Sequence, residues 1–414
     1  MVGRVAVDAP ELLAHAVTGA GHVPDRIADF LAERRPETPC LVMDLDVVAA
    51  RFRALVEALP EARVFYAVKA NPESPVLELL VGEGASFDVA SPAEIDLCLI
   101  AGAAPSQLSF GNTIKKPADI RYAYEKGVRL YAVDSRAELD KIAVHAPGSA
   151  VFVRVLTTGA GADWPLSKKF GCAPGMAADL LLAAADAGLC PWGVSFHVGS
   201  QQRDPAQWDP ARATAAAVFA EVADRSAGAV VLRGVNIGGG FPAHYLDPVP
   251  ELEDYATAIR ASFERHFPDD PSHPRPEVVV EPGRYVVGDA GVLCTEVVLV
   301  SRKDYDEEER WVYLDTGVFG GLAESIGEAI KYRFASDRDG GPTGPVIIAG
   351  PTCDSLDVCY QHHRYELPLD LAPGDRLQIL SAGAYTKTYC TDGFNGFAPM
   401  PAHCLPARVP VATS

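Results

Sequence analysis

The sequence predicts a parallel (β/α)₈ barrel followed by a mostly β domain. Short β-rich runs alternate with helical stretches up to residue 281, the alternation stops after Pro282, and polar residues close the runs. Such alternation is typical of parallel sheets covered by helices, and eight repeats fit a closed barrel. An open doubly wound sheet has the same local pattern and remains the alternative. The β-rich runs cover 63–68, 86–89, 108–111, 129–133, 151–156, 193–198, 233–237 and 277–281.

The chain reaches this barrel through a lead-in, a strand and a helix. Residues 1–36 predict an irregular or helical segment, and Cys40-Leu-Val-Met-Asp44 predicts a short apolar strand outside the barrel count. We therefore expect that strand to join the second domain. Helix 47–59 has its apolar residues at helical spacing, and further helices are predicted at 92–101, 118–126 and 177–187.

After Pro282 the pattern changes to strands separated by Pro/Gly turns, over 285–315 and 345–405. The acidic stretch from Asp304 to Arg310 predicts a solvated hairpin tip. We therefore expect an N-terminal extension and strand over 1–44, a barrel over 45–284, and a β domain of sandwich or Greek-key type over 285–414.

Composition limits the function. The 414 residues are 48% hydrophobic and 22% charged, which is ordinary for a globular protein. Acids outnumber bases by 55 to 36, and the resulting net charge of -19 disfavours binding to nucleic acids or anionic membranes. The sequence shows neither a membrane-length apolar run nor a secretory signal. Its nine cysteines include no Cys-x-x-Cys pair, so we expect a cytoplasmic protein without a metal site.

Candidate chemistry lies at the ends of the predicted strands, because a barrel enzyme has its active site at the carboxyl ends. Lys69 ends the first run. A lone lysine there is more often a rim residue, but a desolvated amine is a nucleophile that forms Schiff bases. Other strands end at Asp88, Arg154, His197 and Glu281.

A triple glycine, Gly238 to Gly240, follows the seventh strand, and Arg284 comes shortly after the eighth. Glycines let backbone amides approach an anion, and phosphate is the usual anion at this end of a barrel. A lysine, a phosphate site and a carboxylate for a ring nitrogen together describe pyridoxal 5′-phosphate (PLP). His197 would stack on the ring; the alternative is a hydrogen-bonded core histidine.

Seven motifs resemble those of the fold-type III PLP decarboxylases, and within them the ornithine decarboxylases of eukaryotic type and their bacterial relatives. The resemblance runs from about residue 38 to 400, with all motifs in order. The motifs are Tyr66-Ala-Val-Lys69-Ala-Asn71, Phe87-Asp-Val-Ala-Ser91, His197-Val-Gly-Ser200, Gly238-Gly-Gly-Phe-Pro242, Glu281-Pro-Gly-Arg284-Tyr285, Gly350-Pro-Thr-Cys353-Asp354 and Gly383-Ala-Tyr385-Thr386.

The resemblance implies an alanine-racemase-like barrel, a β domain and a head-to-tail homodimer with shared sites. It implies that Lys69 holds PLP through a Schiff base and that Glu281 pairs with the pyridinium nitrogen. It places the remaining cofactor residues around the ring and the phosphate: Asp88, Arg154, His197, Ser200, Gly238, Gly239, Gly240, Arg284 and Tyr385. It also implies that the partner subunit supplies the segment with Cys353 and Asp354, and that Lys169 pairs with Asp357 across the dimer.

The resemblance further assigns Cys353 as the acid that reprotonates Cα; without it, Cys353 would be read as a buried structural cysteine. Asp354 and, counted from Gly317-Val-Phe-Gly320, Glu328 would hold the distal ammonium of a diamino acid. Glu328 stands where the eukaryotic enzymes carry aspartate, and its alternative is a solvated helix face. L-Ornithine is therefore the expected substrate, giving putrescine for polyamine biosynthesis, with L-lysine next, then arginine, diaminopimelate or another diamino acid.

Three other functions remain open. A catalytically dead regulatory homologue would typically have lost the lysine, the phosphate residues or the cysteine, all of which are present. A PLP racemase would use a tyrosine base on the opposite face and would lack the Cys353-Asp354 segment. A phosphate-binding barrel enzyme without PLP would not need the whole motif set.

Overall fold

The computed structural model describes residues 22–164, 168–269 and 275–408, and the chain divides into two units. The barrel unit is formed by Phe52–Pro242 and Val249–Gly283. The sheet unit is formed by the described residues up to Arg51, by Ala243–Pro248 and by the described residues from Arg284. Residues 1–21 of the predicted lead-in lie outside the described residues.

The strands, in chain order, are β1 (Cys40–Asp44), β2 (Ala62–Ala67), β3 (Ser86–Val89), β4 (Leu108–Phe110), β5 (Leu130–Val133), β6 (Ala150–Arg154), β7 (Ala162–Trp164), β8 (Cys190–Ser195), β9 (Ser200–Gln202), β10 (Gly234–Asn236), β11 (Glu277–Val280), β12 (Gly291–Ser301), β13 (Arg310–Leu314), β14 (Arg333–Ser336), β15 (Thr343–Ala349), β16 (Val358–Pro368), β17 (Arg376–Leu380) and β18 (Ala402–Leu405). The α-helices are α1 (Asp25–Arg34), α2 (Leu45–Ala58), α3 (Ser74–Gly82), α4 (Pro92–Ile100), α5 (Pro117–Glu125), α6 (Arg136–His145), α7 (Pro174–Asp186), α8 (Trp208–Arg225), α9 (Leu252–His266) and α10 (Arg284–Val287).

The barrel unit is a closed parallel barrel in the order β10-β11-β2-β3-β4-β5-β6-β8. Pairing of β11 with β2, from Val278 opposite Ala62 to Val280 opposite Val64, completes the closure. All eight predicted β-rich runs are barrel strands, so the closed barrel is confirmed over the open sheet. Closure brings all eight carboxyl ends to one mouth, which positions the candidate residues.

Local sequence explains where the helices of the barrel begin. In α4, Pro92 occupies the first helical position and the Ser91 hydroxyl accepts the Glu94 amide at 3.3 Å. In α6, Ser135 accepts the Glu138 amide at 3.4 Å in the same way. These caps satisfy amides that have no partner within the helix, so each helix starts at a fixed residue after its strand.

The sheet unit contains a mixed eight-stranded sheet: six strands follow the order β14-β17-β12-β13-β15-β16, and β1 and β18 are the other two. β1 pairs antiparallel with β12 and parallel with β18. Helix α1 packs Ile27 against a core that includes Cys40, Val42 and Val292. A second domain built mainly of strands is therefore confirmed. Among the described residues, no helix combines the length and apolar character needed to span a membrane.

Some features were not predicted from the sequence. The segment Ala243–Pro248, placed in the barrel by sequence, clusters with the sheet unit, and residues after 284 begin with the short helix α10 rather than with a strand. The β7–β9 ribbon and strand β14 were also missed. These strands have only three or four residues, too few for a periodic signal.

Candidate active site

The candidate amine lies immediately beyond a buried strand. Residues Val64–Ala67 of β2 are buried, and Lys69 follows in the short 3₁₀ turn Val68–Ala70, where its side chain is exposed. The Tyr66 hydroxyl donates to the Asn71 carbonyl at 2.9 Å, and the Ala67 amide donates to the Pro282 carbonyl at 3.0 Å. These bonds fix the turn beside the end of β11, so Lys69 and Glu281 belong to adjacent strand ends.

Asp88 is a buried carboxylate on β3. Its Oδ1 atom is buried and has no hydrogen-bond partner among the described residues. A Cβ on Gly111, directly after β4, would lie 1.9 Å from that oxygen, so a side chain at this position would displace the Asp88 carboxylate. Burial, and then repulsion from Glu281, raises the pKa of Asp88 well above its ordinary value, although Lys69 opposes the shift.

His197 follows β8 and is held as a neutral ring. The Gly199 amide donates to Nδ1 at 3.0 Å, so in the neutral ring the proton resides on Nε2. Burial, and then the charges of Arg154 and Lys69, lowers the pKa of His197 well below its ordinary value. A neutral imidazole can stack on a cationic heteroaromatic ring without charge repulsion.

The triple glycine after β10 forms a cradle that side chains would fill. A Cβ on Gly238 would lie 2.3 Å from the Phe196 carbonyl oxygen, and one on Gly239 would lie 2.4 Å from that of Glu281. Gly240 has φ of +108°, a conformation that favours glycine. These positions can therefore bring backbone close to an anion where other residues cannot.

Asn236 connects this cradle to Glu281. Its side chain is buried; Oδ1 accepts the Gly238 amide at 2.9 Å, while Nδ2 donates to Glu281 Oε1. The Glu281 amide in turn donates to the Gly238 carbonyl at 2.8 Å. One buried amide therefore fixes both the carboxylate and the start of the glycine loop.

Arg284 and Tyr385 meet within the sheet unit. The Arg284 Cζ atom lies 4.8 Å from the centre of the Tyr385 ring, and Tyr385 itself has φ of +57°. The Arg284 guanidinium makes two hydrogen bonds to Glu324, at 2.6 and 2.5 Å, and one to the Tyr245 hydroxyl at 2.7 Å. Burial alone would lower the pKa of Arg284, but the Glu324 carboxylate holds it well above its ordinary value.

The Cys353–Asp354 segment is a turn in the sheet unit, and Cys353 is exposed. Asn395 Oδ1 accepts the Cys353 amide at 3.0 Å, and Asp354 Oδ1 accepts the Leu356 amide at 2.9 Å. Buried Asp357 accepts the Val318 amide at 2.8 Å and the Thr352 hydroxyl at 2.7 Å. These bonds fix the shape of the turn that carries the two predicted residues.

The carboxylate of Glu328 accepts hydrogen bonds from the backbone. It accepts the amides of Gln361, His362 and His363 at 2.6–2.7 Å. Burial raises the pKa of Glu328, but these amides outweigh it and hold the pKa below its ordinary value. Three amides use three of the roughly four lone-pair sites of a carboxylate. The assignment of Glu328 to a substrate ammonium therefore remains a prediction.

The barrel mouth fits PLP. It combines an exposed lysine amine, a neutral histidine, a glycine cradle and a carboxylate oriented by Asn236. The orphaned Asp88 oxygen marks a polar position that a bound group would satisfy. A barrel with these groups is that of a PLP-dependent enzyme.

Comparison with known proteins identifies the family. The profile of the pyridoxal-dependent decarboxylase pyridoxal-binding domain matches residues 45–288. The chain is 35% identical to a lysine/ornithine decarboxylase of Selenomonas ruminantium over 368 residues, 89% of either chain. It is 34% identical to a chloroplastic ornithine decarboxylase of Nicotiana glutinosa over 390 residues, 90% of this chain and 86% of that one.

Solved structures agree. The Vibrio vulnificus lysine/ornithine decarboxylase complexed with cadaverine superposes with a TM-score of 0.81 at 31% identity, covering 92% of this chain and 98% of the other. The chain belongs to the pyridoxal-dependent decarboxylases, as the motifs predicted. It is an enzyme of that class, and its cofactor is PLP.

The structure places most of the predicted barrel residues at or just after the carboxyl ends of barrel strands: Lys69, Asp88, Arg154, His197, Gly238, Gly239, Gly240 and Glu281. Ser200 is instead the first residue of β9, in the β7–β9 ribbon that follows β8. It groups Arg284 with Tyr385, and it places Lys169 as an exposed residue with Nζ 4.9 Å from the Phe170 ring centre.

Sequence reasoning missed three residues near these groups, namely Asn236, Gly111 and Glu94. Burial raises the pKa of Glu94, and the positive charge of Lys69 partly opposes this shift, so the two side chains are close enough to interact. Glu94 was missed because it lies in the first turn of α4, where an acid is expected as part of a helix cap. Asn236 could have been found, because it is the polar residue at the end of the seventh strand.

Proposed function

We propose that the protein decarboxylates a diamino acid, with L-ornithine as the preferred substrate and putrescine and CO₂ as products. Its relatives named lysine/ornithine and ornithine decarboxylases support this proposal, as does the acidic Asp354 beside Cys353. A carboxylate is the natural partner of a terminal ammonium group. L-Lysine, one methylene longer, is the second candidate.

The observation that carries the proposal is the Asn236–Glu281 contact beside the glycine cradle. PLP supplies an electron-accepting ring once Lys69 has bound its aldehyde. An anionic Glu281 keeps the ring nitrogen protonated, and Asn236 holds Oε1 of that carboxylate in place. The neutral His197 would cover one face of the ring, while Asp88 and Arg154 would line the ring and the Schiff base.

We assign the phosphate to the amides of Gly238–Gly240 together with Ser200, Arg284 and Tyr385. Cys353 Sγ would deliver a proton to Cα after CO₂ departs, and Asp354, with Glu328 as the predicted second acid, would hold the distal ammonium. In the proposed homodimer the partner subunit supplies Cys353 and Asp354, and Lys169 pairs with Asp357 across the interface. We also propose that the enzyme acts in the cytoplasm.

The test is a substrate panel on purified enzyme. Turnover of L-ornithine, L-lysine, L-arginine and diaminopimelate is measured by CO₂ release and by identifying the amine. We expect L-ornithine to have the highest kcat/KM. Lys69→Ala should abolish turnover and the visible colour of bound PLP, while Lys69→Arg controls for loss of charge. A coloured wild type that releases no CO₂ from any diamino acid would refute the proposal.

Subunit sharing is tested by mixing two impaired variants. Lys69→Ala lacks the cofactor amine and Cys353→Ala lacks the proposed acid, so a mixed dimer contains one site with both residues intact. We expect normal amine formation to appear on mixing under conditions that exchange subunits. A mixture that exchanges subunits and forms no more amine than the separate variants would show that each site uses residues of one chain only.

Glu328 is tested separately. Glu328→Gln keeps one oxygen, which can accept two of the three backbone amides, and removes the negative charge. If Glu328 holds the distal ammonium, KM for L-ornithine should rise with little change in PLP content. Unaltered kinetics would leave Asp354 as the one predicted acid for that group.

A further inference from the structure

Arg284 carries a buried charge that is already neutralised. The Arg284 and Glu324 side chains are 2% and 3% exposed, and Glu324 accepts from both Nη1 and Nη2. The Tyr245 hydroxyl also accepts from Nη1 at 2.7 Å. Neither Glu324 nor Tyr245 is required by the proposed chemistry. A bidentate carboxylate on the guanidinium is unexpected if this arginine binds a phosphate dianion.

The geometry points to a counter-ion role for Glu324: it competes electrostatically with the cofactor phosphate for Arg284 and thereby sets how tightly PLP is held. This inference rests on the proposed phosphate role of Arg284. Glu324 is here a positioning residue, because it acts through Arg284 and not on the reacting atoms.

Glu324 stabilises the protein without PLP and weakens the binding of PLP. Without phosphate, Glu324 stabilises the fold, because a buried guanidinium without a counter-ion is costly. With phosphate bound to Arg284, the same carboxylate shares the guanidinium with a dianion of like sign, which it repels.

An unsatisfied polar atom lies in the same group of side chains. The buried Tyr332 hydroxyl has no hydrogen-bond partner in the part of the chain that the structure describes, and its ring centre lies 5.4 Å from that of Tyr245. Glu324 and Tyr245 also raise the pKa of Tyr332, though less than burial does. The cluster therefore holds a hydroxyl whose hydrogen-bonding capacity is unused.

The experiment compares PLP with pyridoxal, which lacks the phosphate. Apoprotein of wild type and Glu324→Gln is titrated with each compound, and melting temperatures are measured with and without PLP. We expect Glu324→Gln apoprotein to melt several degrees lower, to bind PLP roughly tenfold more tightly, and to bind pyridoxal as wild type does. Inorganic phosphate should likewise compete better in the variant.

Two further variants keep the test decisive. Glu324→Asp retains the charge but withdraws it by one methylene, so we expect an intermediate PLP affinity even if Glu324→Gln does not fold. The control is Glu83→Gln, which removes another buried carboxylate. Glu83 accepts hydrogen bonds from Nε and Nη2 of Arg53 at 2.7 and 2.5 Å. The control variant should lower stability without altering the PLP-to-pyridoxal ratio, because Glu83 lies just before the amino end of β3.

Unchanged or weaker PLP binding in both Glu324 variants would overturn the inference and leave Glu324 as a structural partner of Arg284. So would an equal gain for PLP and pyridoxal. Failure of the wild type to bind PLP at all would instead overturn the proposed function, so the two failures are distinguishable.

Discussion

The Gly199 amide donates a hydrogen bond to Nδ1 of His197 across 3.0 Å, so the ring is an acceptor on that side. Together with burial and the neighbouring cations, this bond keeps His197 uncharged in the folded protein. The same contact therefore defines both the tautomer of the proposed stacking ring and its response to acid.

His197 should make the protein acid-sensitive. Its folded-state pKa lies below its unfolded value, which is about 6.5. Above that pH both states are neutral and His197 has no effect; below it only the unfolded state gains the proton, so folding stability falls. Each pH unit in this range costs at most about 1.4 kcal/mol.

The check is the free energy of unfolding of wild type and His197→Asn at pH 5 to 8, measured in denaturant. Asn Oδ1 can accept the Gly199 amide in place of Nδ1, so the variant removes the titrating group and retains an acceptor. We expect the two curves to be parallel above pH 7 and the wild type to fall faster below it. Parallel curves down to pH 5 would contradict the assignment.

Gly239 should be essential for cofactor binding. An alanine Cβ there would lie 2.4 Å from the Glu281 carbonyl oxygen and 3.3 Å from His197 Nε2. Because the first contact is with backbone, the strand end must shift and Glu281 must move with it. We expect Gly239→Ala to bind much less PLP per subunit, measured by cofactor absorbance.

The matched control is Gly175→Ala in the first turn of α7. A Cβ at Gly175 meets nothing within 4 Å. Alanine is the better helix former, so stability should stay equal or rise by about 0.5–1 kcal/mol, with PLP content unchanged. Equal PLP content in the two variants would show that the close approach at Gly239 is not needed.

Asn395 should control the accuracy of protonation. Its side chain holds the Cys353 amide at 3.0 Å, and its own φ is +52°, where Asn, Asp and Gly are tolerated best. Asn395→Asp keeps the acceptor, whereas Asn395→Gly keeps the backbone conformation and loses it. If Cys353 delivers the proton to Cα, we expect Asn395→Gly to lower kcat and to release more aldehyde in place of amine.

The aldehyde-to-amine ratio separates this effect from a general loss of structure. Asn395→Asp should resemble wild type, and Cys353→Ala should exceed Asn395→Gly in its error rate. If Cys353→Ala misdirects protonation but Asn395→Gly does not, then the hydrogen bond from the Cys353 amide to Asn395 is not needed to position the thiol. Normal products from Cys353→Ala would instead remove Cys353 from the mechanism.

The sequence predicted the barrel and its strand ends because each strand is a compact apolar run closed by a polar residue. Lys69 and Glu281 were found in this way. Glu94 was missed because Ser91 and Glu94 resemble an ordinary helix cap, and the role of Glu324 was invisible because its partner Arg284 lies 40 positions away. Spacing also cannot reveal that three amides from a distant strand occupy Glu328.

Glu138 should be a sensitive buried charge of the barrel, away from the mouth. Its carboxylate lies 3.1 Å from Lys115 Nζ and 2.5 Å from Lys141 Nζ, and the Lys115 side chain is fully buried. Burial lowers the pKa of Lys115 to about 8, although Glu138 opposes the shift. Glu138→Gln would remove the carboxylate that contacts Lys115 and leave only the weaker attraction of Asp134 to offset its burial, so we expect a loss of about 3–5 kcal/mol in unfolding free energy.

Urea denaturation at pH 7 measures this loss, and Asp140→Asn provides the contrast. Asp140 pairs with Arg136 at 2.8 Å, but both side chains are more than half exposed, so its removal should change stability by less than about 0.5 kcal/mol. Adding Lys115→Met to Glu138→Gln should recover part of the loss, because the double variant no longer buries an unpaired ammonium. If the single Glu138 variant is as stable as Asp140→Asn, the folded interior must supply Lys115 with another counter-charge or admit water to it.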